Sequence, residues 1–394
     1  MSLEKSIELL YNGGIKVNKS DLSRDFYMLK GPLIKKGYDW WWHNFTGYRR
    51  ETGEAKTFFV EYFVCNPALG GNKAILGQLP ANKAKDIKPS YALIKAGAWG
   101  NSPKQIHRFY PIADFSCPPD ALDLKMGNCT LSETHMKGNC LVTPEEVIAH
   151  PEYMCDAGEM SWDIKINKQI AYNVGYGASK LFRSINAFEM FWHAEGIKTE
   201  YSGEVVLDGV TYDIIPDKSF GYADKNWGSN FTSPWLWISS CNLRSLLTGK
   251  VLHNSAVEVG GGKPKVFGIP LEHKLLIGMY YEGKMYDYNF SRFWTRPKVT
   301  FKFREGETYN TWSVISSNQY SFLELALECP KNEMILINYE SPDGQKRHNR
   351  LWNGGTGYGE IKLYRKQGKE RALIDHIEMK NAGCEYGEYS YLTS

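Results

Sequence analysis

The run Gly221-Tyr222-Ala223-Asp224-Lys225-Asn226-Trp227-Gly228 sets an acid, a base, an amide and an indole side by side between two glycines. Close behind it, Trp235-Leu236-Trp237-Ile238-Ser239-Ser240 reads as a strand, rich in aromatics and hydrophobic on both faces. Gly221 and Gly228 allow sharp turns or the close approach of another segment. The Asp224 carboxyl is therefore expected at the end of a strand, against indoles, where it loses contact with water. A carboxylic acid with an ordinary pKa of ~4 is ionised at neutral pH and cannot donate a proton, whereas burial can keep it protonated. Two readings of Asp224 stay open: a general acid held neutral by burial, or a structural carboxylate paired with an Arg or Lys while Trp227 fills the core.

A second polar set lies on the strand expected from Ala187 to Thr199. With a period of two, Glu189, Phe191, His193 and Glu195 share one face, and Met190, Trp192 and Ala194 the other. His193 thus keeps company with two acids, and reads equally as a catalytic group or as a satisfied structural histidine. Glu61 shares a face with Phe59 and Phe63 and is expected on a wet surface. The eight cysteines include no CxxC pair, and the four between 117 and 155 fit no usual zinc spacing. There is no P-loop, dinucleotide GxGxxG, HExxH or GxSxG, and Gly260-Gly-Gly262 runs into Lys-Pro rather than a phosphate-binding helix. No metal and no cofactor are expected.

The elements that must position these groups are mostly short strands. Tyr38–Phe45 and Thr57–Val64 read as a pair around a turn at Glu51–Glu54, and Asp208-Gly209 as a hairpin turn between Gly203–Leu207 and Val210–Ile214. Further strands recur from Leu275 to Lys380 at a spacing that argues for antiparallel barrels rather than βαβ units. Helical spacing is confined to short pieces, residues 3–11 and 144–150. The stretch 66–160, broken by prolines, is expected to be a long irregular insertion. At 394 residues two domains are expected, divided at 1–248 and 249–394.

Lys+Arg 47 against Asp+Glu 44 leaves a net charge of +3 with no long block of one sign, which argues against a nucleic-acid groove or a polybasic membrane surface. With 12 Trp, 25 Tyr and 18 Phe, the chain is suited to a cavity for something flat or greasy. The first residues lack an apolar signal core, no run approaches 18 apolar residues, and a soluble cytoplasmic protein with reduced thiols is expected.

The central run, with Pro234-Trp-Leu-Trp-Ile and Cys241-Asn242 after it, resembles the tocopherol cyclase family. Gly37-Tyr-Asp-Trp-Trp-Trp, Glu189-Met-Phe-Trp-His193 with Gly203–Gly209, and Asn381-Ala-Gly-Cys-Glu385 are similar to that family's other islands, in the same order. The chain departs from it in segment 66–160, in Asp224 where Glu is usual, and in His43 after the tryptophans. The resemblance implies an all-β chain of two consecutive antiparallel lipocalin-like β-barrels, related to carotenoid hydratase and AttH-type proteins. It also implies a cofactor-free reaction on a hydrophobic prenylated quinol. The partner expected is such a small molecule, with peripheral membrane contact as a route for its uptake. In that chemistry Asp224 protonates an alkene, and His193 accepts the phenolic proton or orients the acid. Trp227, Trp235, Trp237, Trp41, Phe191, Glu189 and Asn226 would line the substrate, the indoles stabilising the cation. A lipocalin-like carrier without chemistry and a carbohydrate-active β protein remain as alternatives.

Overall fold

The computed structural model describes residues 24–172, 187–272, 274–290, 292–344, 346–348, 351–368 and 370–391. The expected helix at 3–11 lies outside them. Two large antiparallel sheets hold nearly all of the regular structure.

The first runs, in hydrogen-bonded order, Lys104–Tyr110, Tyr91–Trp99, Ala55–Cys65, Tyr38–Arg49, Val210–Ile214, Met190–Leu207, Gly158–Tyr172, His135–Val142, Cys129–Ser132, Asp123–Met126 and Phe115–Ser116. Strand Gly221–Gly228 fits between Tyr38–Arg49 and Met190–Leu207. The sheet closes into a barrel where the Cys140 thiol and the Asp156 amide reach the carbonyls of Ile106 (3.5 Å) and Gln105 (2.8 Å). The second sheet follows the order Lys284–Asp287, Lys274–Tyr281, Ala256–Gly262, Trp235–Ser240, Glu370–Gly387, Leu351–Gln367, Ser321–Pro330, Tyr309–Ser317, Lys298–Glu305. Its ends are tied by Asn318 Nδ2, which donates to the Asp287 carbonyl (3.0 Å).

Segment 66–160 departs from its irregular expectation, supplying six strands of the first barrel. Its prolines fall largely in the connections, while Leu124, Leu131, Met136 and Cys140 alternate inward along short strands. Helix Pro144–Ala149 forms as expected, closed by a capping box between Thr143 and Glu146. The sheets part between Gly228 and Trp235, so Trp235–Ser240 bonds wholly within the second sheet.

The period of two decides where side chains go. Trp41, Phe45, Phe58, Val60 and Tyr62 fill the first barrel, and Leu236, Ile238, Val257, Val259 and Trp312 fill the second. The alternate residues, Trp42, Phe59, Phe63 and Trp192 on one sheet with Trp235, Trp237, Tyr339 and Leu351 on the other, make a third core between the barrels. Glu61 points into this third core and is fully buried, against the expectation of a wet face. The second sheet covers it, and its Oε2 accepts from Lys95 Nζ (3.0 Å) and the Tyr339 hydroxyl (2.8 Å), while Oε1 is buried without a hydrogen-bond partner.

Two glycines make the close packing possible. A Cβ on Gly260 would stand 2.2 Å from Trp192 Cη2, and one on Gly383 2.2 Å from Trp237 Cη2. The Gly260-Gly-Gly262 run is thus a seat for an indole. Gly260→Ala is expected to cost about 1–3 kcal/mol by overpacking, read by urea unfolding. Unfolding at the native midpoint would show that the inter-barrel core tolerates slack.

Candidate active site between the barrels

Asp224 lies on the face of its strand that meets the second sheet. Its Oδ2 accepts from Trp192 Nε1 (2.7 Å) and from the Tyr222 hydroxyl (3.0 Å), while Oδ1 is buried and has no hydrogen-bond partner. The same Tyr222 oxygen lies 3.2 Å from Glu258 Oε1. A hydroxyl has one proton to give, so when both contacts are hydrogen bonds one of the two carboxyls must itself be the donor, and hence protonated. Burial pushes Asp224 up to about 7, although the bonds from Trp192 and Tyr222 pull the other way. Glu258 is driven well above the carboxylate range by burial and then by the charge of Asp224.

A third carboxyl comes from the second sheet. Glu385 accepts from Trp235 Nε1 (2.7 Å) and Asn353 Nδ2 (3.1 Å), and burial raises it to about 7. Asp224 and Glu385 both line a narrow slot walled by Trp40, Trp42, Trp235, Trp237 and Tyr339. Trp40 stacks on Tyr339 (5.3 Å between ring centres, 20°), and Asn226 turns its amide oxygen to Trp40 Nε1 (3.0 Å). The free volume, about 20 Å³, admits about one water molecule. Such a site can hold a neutral acid against aromatic faces and keep bulk water out.

The other face of the same strand is chemically different. Lys225 is ion-paired with Asp39 inside the first barrel, its ammonium 3.6 Å from the centre of the Trp41 ring. His193 is paired in register with Lys225, one residue away from Asp224, so alternation sends it into the first barrel as well. There His193 Nδ1 meets Asp25 Oδ1 (3.2 Å), and Lys168 Nζ reaches Asp25 (2.9 Å), Glu133 (2.8 Å) and Glu195 (3.1 Å). The ligand atoms of Asp25, His193 and Glu195 lie within 4.8 Å of one another, a spacing a metal could use, but the Lys168 ammonium already sits on both carboxylates.

Of the residues singled out in the sequence, the structure gathers Asp224, Asn226, Trp235 and Trp237 around the slot. It sets His193, Trp41, Trp227, Phe191 and Glu189 apart. Trp227 stacks on Phe191 (5.5 Å, 13°) on the opposite face, Trp41 donates to the Asp25 carbonyl, and Glu189 pairs with Lys265 (3.5 Å). The slot also uses Trp40, Trp42, Tyr339, Asn353 and Glu385, with Tyr222 and Glu258 behind Asp224. Alternation along Tyr38–Phe45 was signal enough for Trp40 and Trp42. Tyr222 shares the face of Asp224 two residues along the same strand, and the others come from distant segments that only pairing of the two sheets brings near.

A carboxyl whose pKa is raised on folding binds its proton more tightly in the native state. Stability should therefore fall as pH rises from about 4 towards 7, by about 4 kcal/mol for a shift of the size seen at Asp224. Urea melts at pH 4 and pH 8 are expected to show that fall in the native chain and a shallower one in Asp224→Asn. Equal slopes would place the titration elsewhere.

Comparison with known proteins adds the following. The profile described as "Tocopherol cyclase-like" matches residues 143–388. A chloroplastic protein of Oryza sativa subsp. japonica named as a tocopherol cyclase is 34% identical over 105 residues, and the chloroplastic tocopherol cyclase of Zea mays 32% over 104. Each alignment covers 26% of this chain and only 20%, about one fifth, of the relative. Among solved structures, an AttH-type protein of Nitrosomonas europaea aligns over 87% of this chain and 92% of its own, at 11% identity and a TM-score of 0.47. Kievitone hydratase of Nectria haematococca aligns over 97% and 99%, at 12% identity and 0.44.

Proposed function

Because the chain belongs to the tocopherol cyclase-like family, we propose that it is a cofactor-independent enzyme that protonates a carbon–carbon double bond of a hydrophobic, prenylated or phenolic substrate, using Asp224 as the acid. The observation that carries this reading is the Asp224 carboxyl itself: one oxygen held by two donors, the other buried without a partner, beside a slot of aromatic faces.

In this reading the Asp224 O–H transfers its proton to the alkene and leaves a tertiary cation. Indole faces stabilise such a cation by up to ~2 kcal/mol each when water is excluded. A phenol oxygen of the same substrate then forms the C–O bond, and its proton passes to Glu385, the second carboxyl on the slot. The sum is an isomerisation: one proton given, one taken, no redox change. Where a water takes the place of the phenol, the same acid performs a hydration. Two carboxyls near 7 suit the exchange, since each changes state at little cost near neutral pH. The slot is closed tightly enough that a prenylated substrate enters only as the aromatic wall parts. His193, on the far side of the sheet, has no place in this step.

Incubation with a panel of prenylated quinols and phenols, followed by mass spectrometry, tests the proposal. Asp224→Asn is expected to lower turnover by ~10²–10⁴ while tryptophan fluorescence still reports binding, and the native rate is expected to decline as pH rises above about 7. Native-like turnover in Asp224→Asn would remove the acid from the mechanism. Ligand binding with no turnover of any compound would favour a carrier.

A further inference from the structure

Beside the slot a hairpin joins two neighbouring strands of the second sheet, Ala256–Gly262 and Lys274–Tyr281. Gly262, the last residue of its strand, pairs with Trp235, and Lys263 N–H reaches the Pro234 carbonyl (3.4 Å). Strands Lys265–Val266 and Ile269–Pro270 then form the hairpin. It is fastened to the first barrel's chain by the Phe267 amide on the Ala187 carbonyl (2.8 Å) and by a bridge between Val266 and Phe188. Its position is thus held from both halves, at the Trp235 end of the slot.

At the tip the order is inverted from an ordinary turn. Phe267 is 63% exposed and Ile269 67% exposed, with Gly268 and Pro270 exposed as well. Strand Lys284–Asp287 runs back along Lys274–Tyr281 towards the hairpin, so the loop after it, with Trp294 60% exposed, leaves the sheet at the same end. The charges here are mainly cationic: Lys263, Lys265 (paired with Glu189), Lys274, Arg292 (paired with Asp287) and Arg296, against Glu272. Large apolar side chains ringed by cations match the chemistry of an anionic bilayer surface, where rings enter the interface and ammonium groups meet lipid phosphates.

We propose that the Phe267–Ile269 hairpin docks the protein on an anionic lipid bilayer and sets the Trp235 end of the slot against it. Docking stands independently of the reaction proposed above; only its use for delivering substrate rests on that reading. Among the described residues no helix is long and apolar enough to cross a membrane.

The test is co-sedimentation of the full chain with vesicles of phosphatidylcholine alone and of phosphatidylcholine mixed with phosphatidylglycerol. Binding is expected to the mixed vesicles, to weaken with added salt, and to fall by about tenfold or more in the double variant Phe267→Ser, Ile269→Ser. Lys263→Glu with Lys274→Glu, which leaves the apolar tip intact, is expected to abolish the preference for the anionic lipid. Thermal melts check that both variants fold. Native protein that stays in the supernatant with both vesicles, or an apolar-tip variant that sediments as the native does, overturns the proposal. So does a concentration-dependent dimer that the tip variant abolishes, which would assign this face to a second copy of the chain. Turnover of detergent-dispersed substrate by the same variants separates failure of docking from failure of the chemistry.

Discussion

Removing a carboxyl from water is costly unless it is paired with a cation or keeps its proton, and the arrangement around Asp224 follows from taking the second course. Its strand buries both faces, and among the described residues its hydrogen-bond donors are an indole and a phenol rather than a lysine or arginine. Two donors, Trp192 Nε1 and the Tyr222 hydroxyl, hold one oxygen and favour the ionised form, yet desolvation outweighs them. Glu258, sharing the Tyr222 hydroxyl, makes a second negative charge in the same place still less favourable. The result is a carboxyl raised to about 7 in an apolar wall.

One residue along the strand the same problem is solved the other way. Lys225 meets Asp39, and Lys168 meets Asp25, Glu133 and Glu195, so these buried acids have ammonium partners, although one ammonium serves three carboxyls and burial still raises Glu195 to about 8. Deleting one member of such a buried pair strands its partner, typically at ~3–5 kcal/mol, so these networks tie the barrel wall in place. His193 belongs to them through Asp25. The sheet thus separates an interior where buried acids meet ammonium groups from a seam where Asp224 is held by an indole and a phenol.

The seam is also where the molecule is most aromatic and least spacious. Trp40 on Tyr339, Trp42 on Phe59, and Trp192 and Trp237 against glycine backbone leave a slot of about 20 Å³. Dryness and preorganisation come from that tightness, and so does the need for the wall to open. The hairpin with Phe267 and Ile269 stands at the Trp235 end, where an apolar ligand would enter with least exposure to water.

Local rules in the sequence settled a good deal. Alternating apolar residues and tight turns specify antiparallel strands, and they specify that Asp224 and Lys225 face opposite ways. The islands around Asp224, Trp235 and Glu385 identify the family. The irregular look of 66–160 misled because short strands with few residues per face carry little periodic signal, and their pairing partners are distant in the chain. What only the tertiary structure decided is which face of each strand would be covered, and by what. Alternation cannot say whether the side of the sheet away from the barrel meets water or another sheet. Docking of the second sheet there turned Glu61 from a surface acid into a buried one, brought Glu385 and Asn353 to Asp224, and left His193 and Trp41 behind the wall. Burial, and with it the raised pKa of Asp224, is a property of two sheets in contact and so is not written in either strand alone.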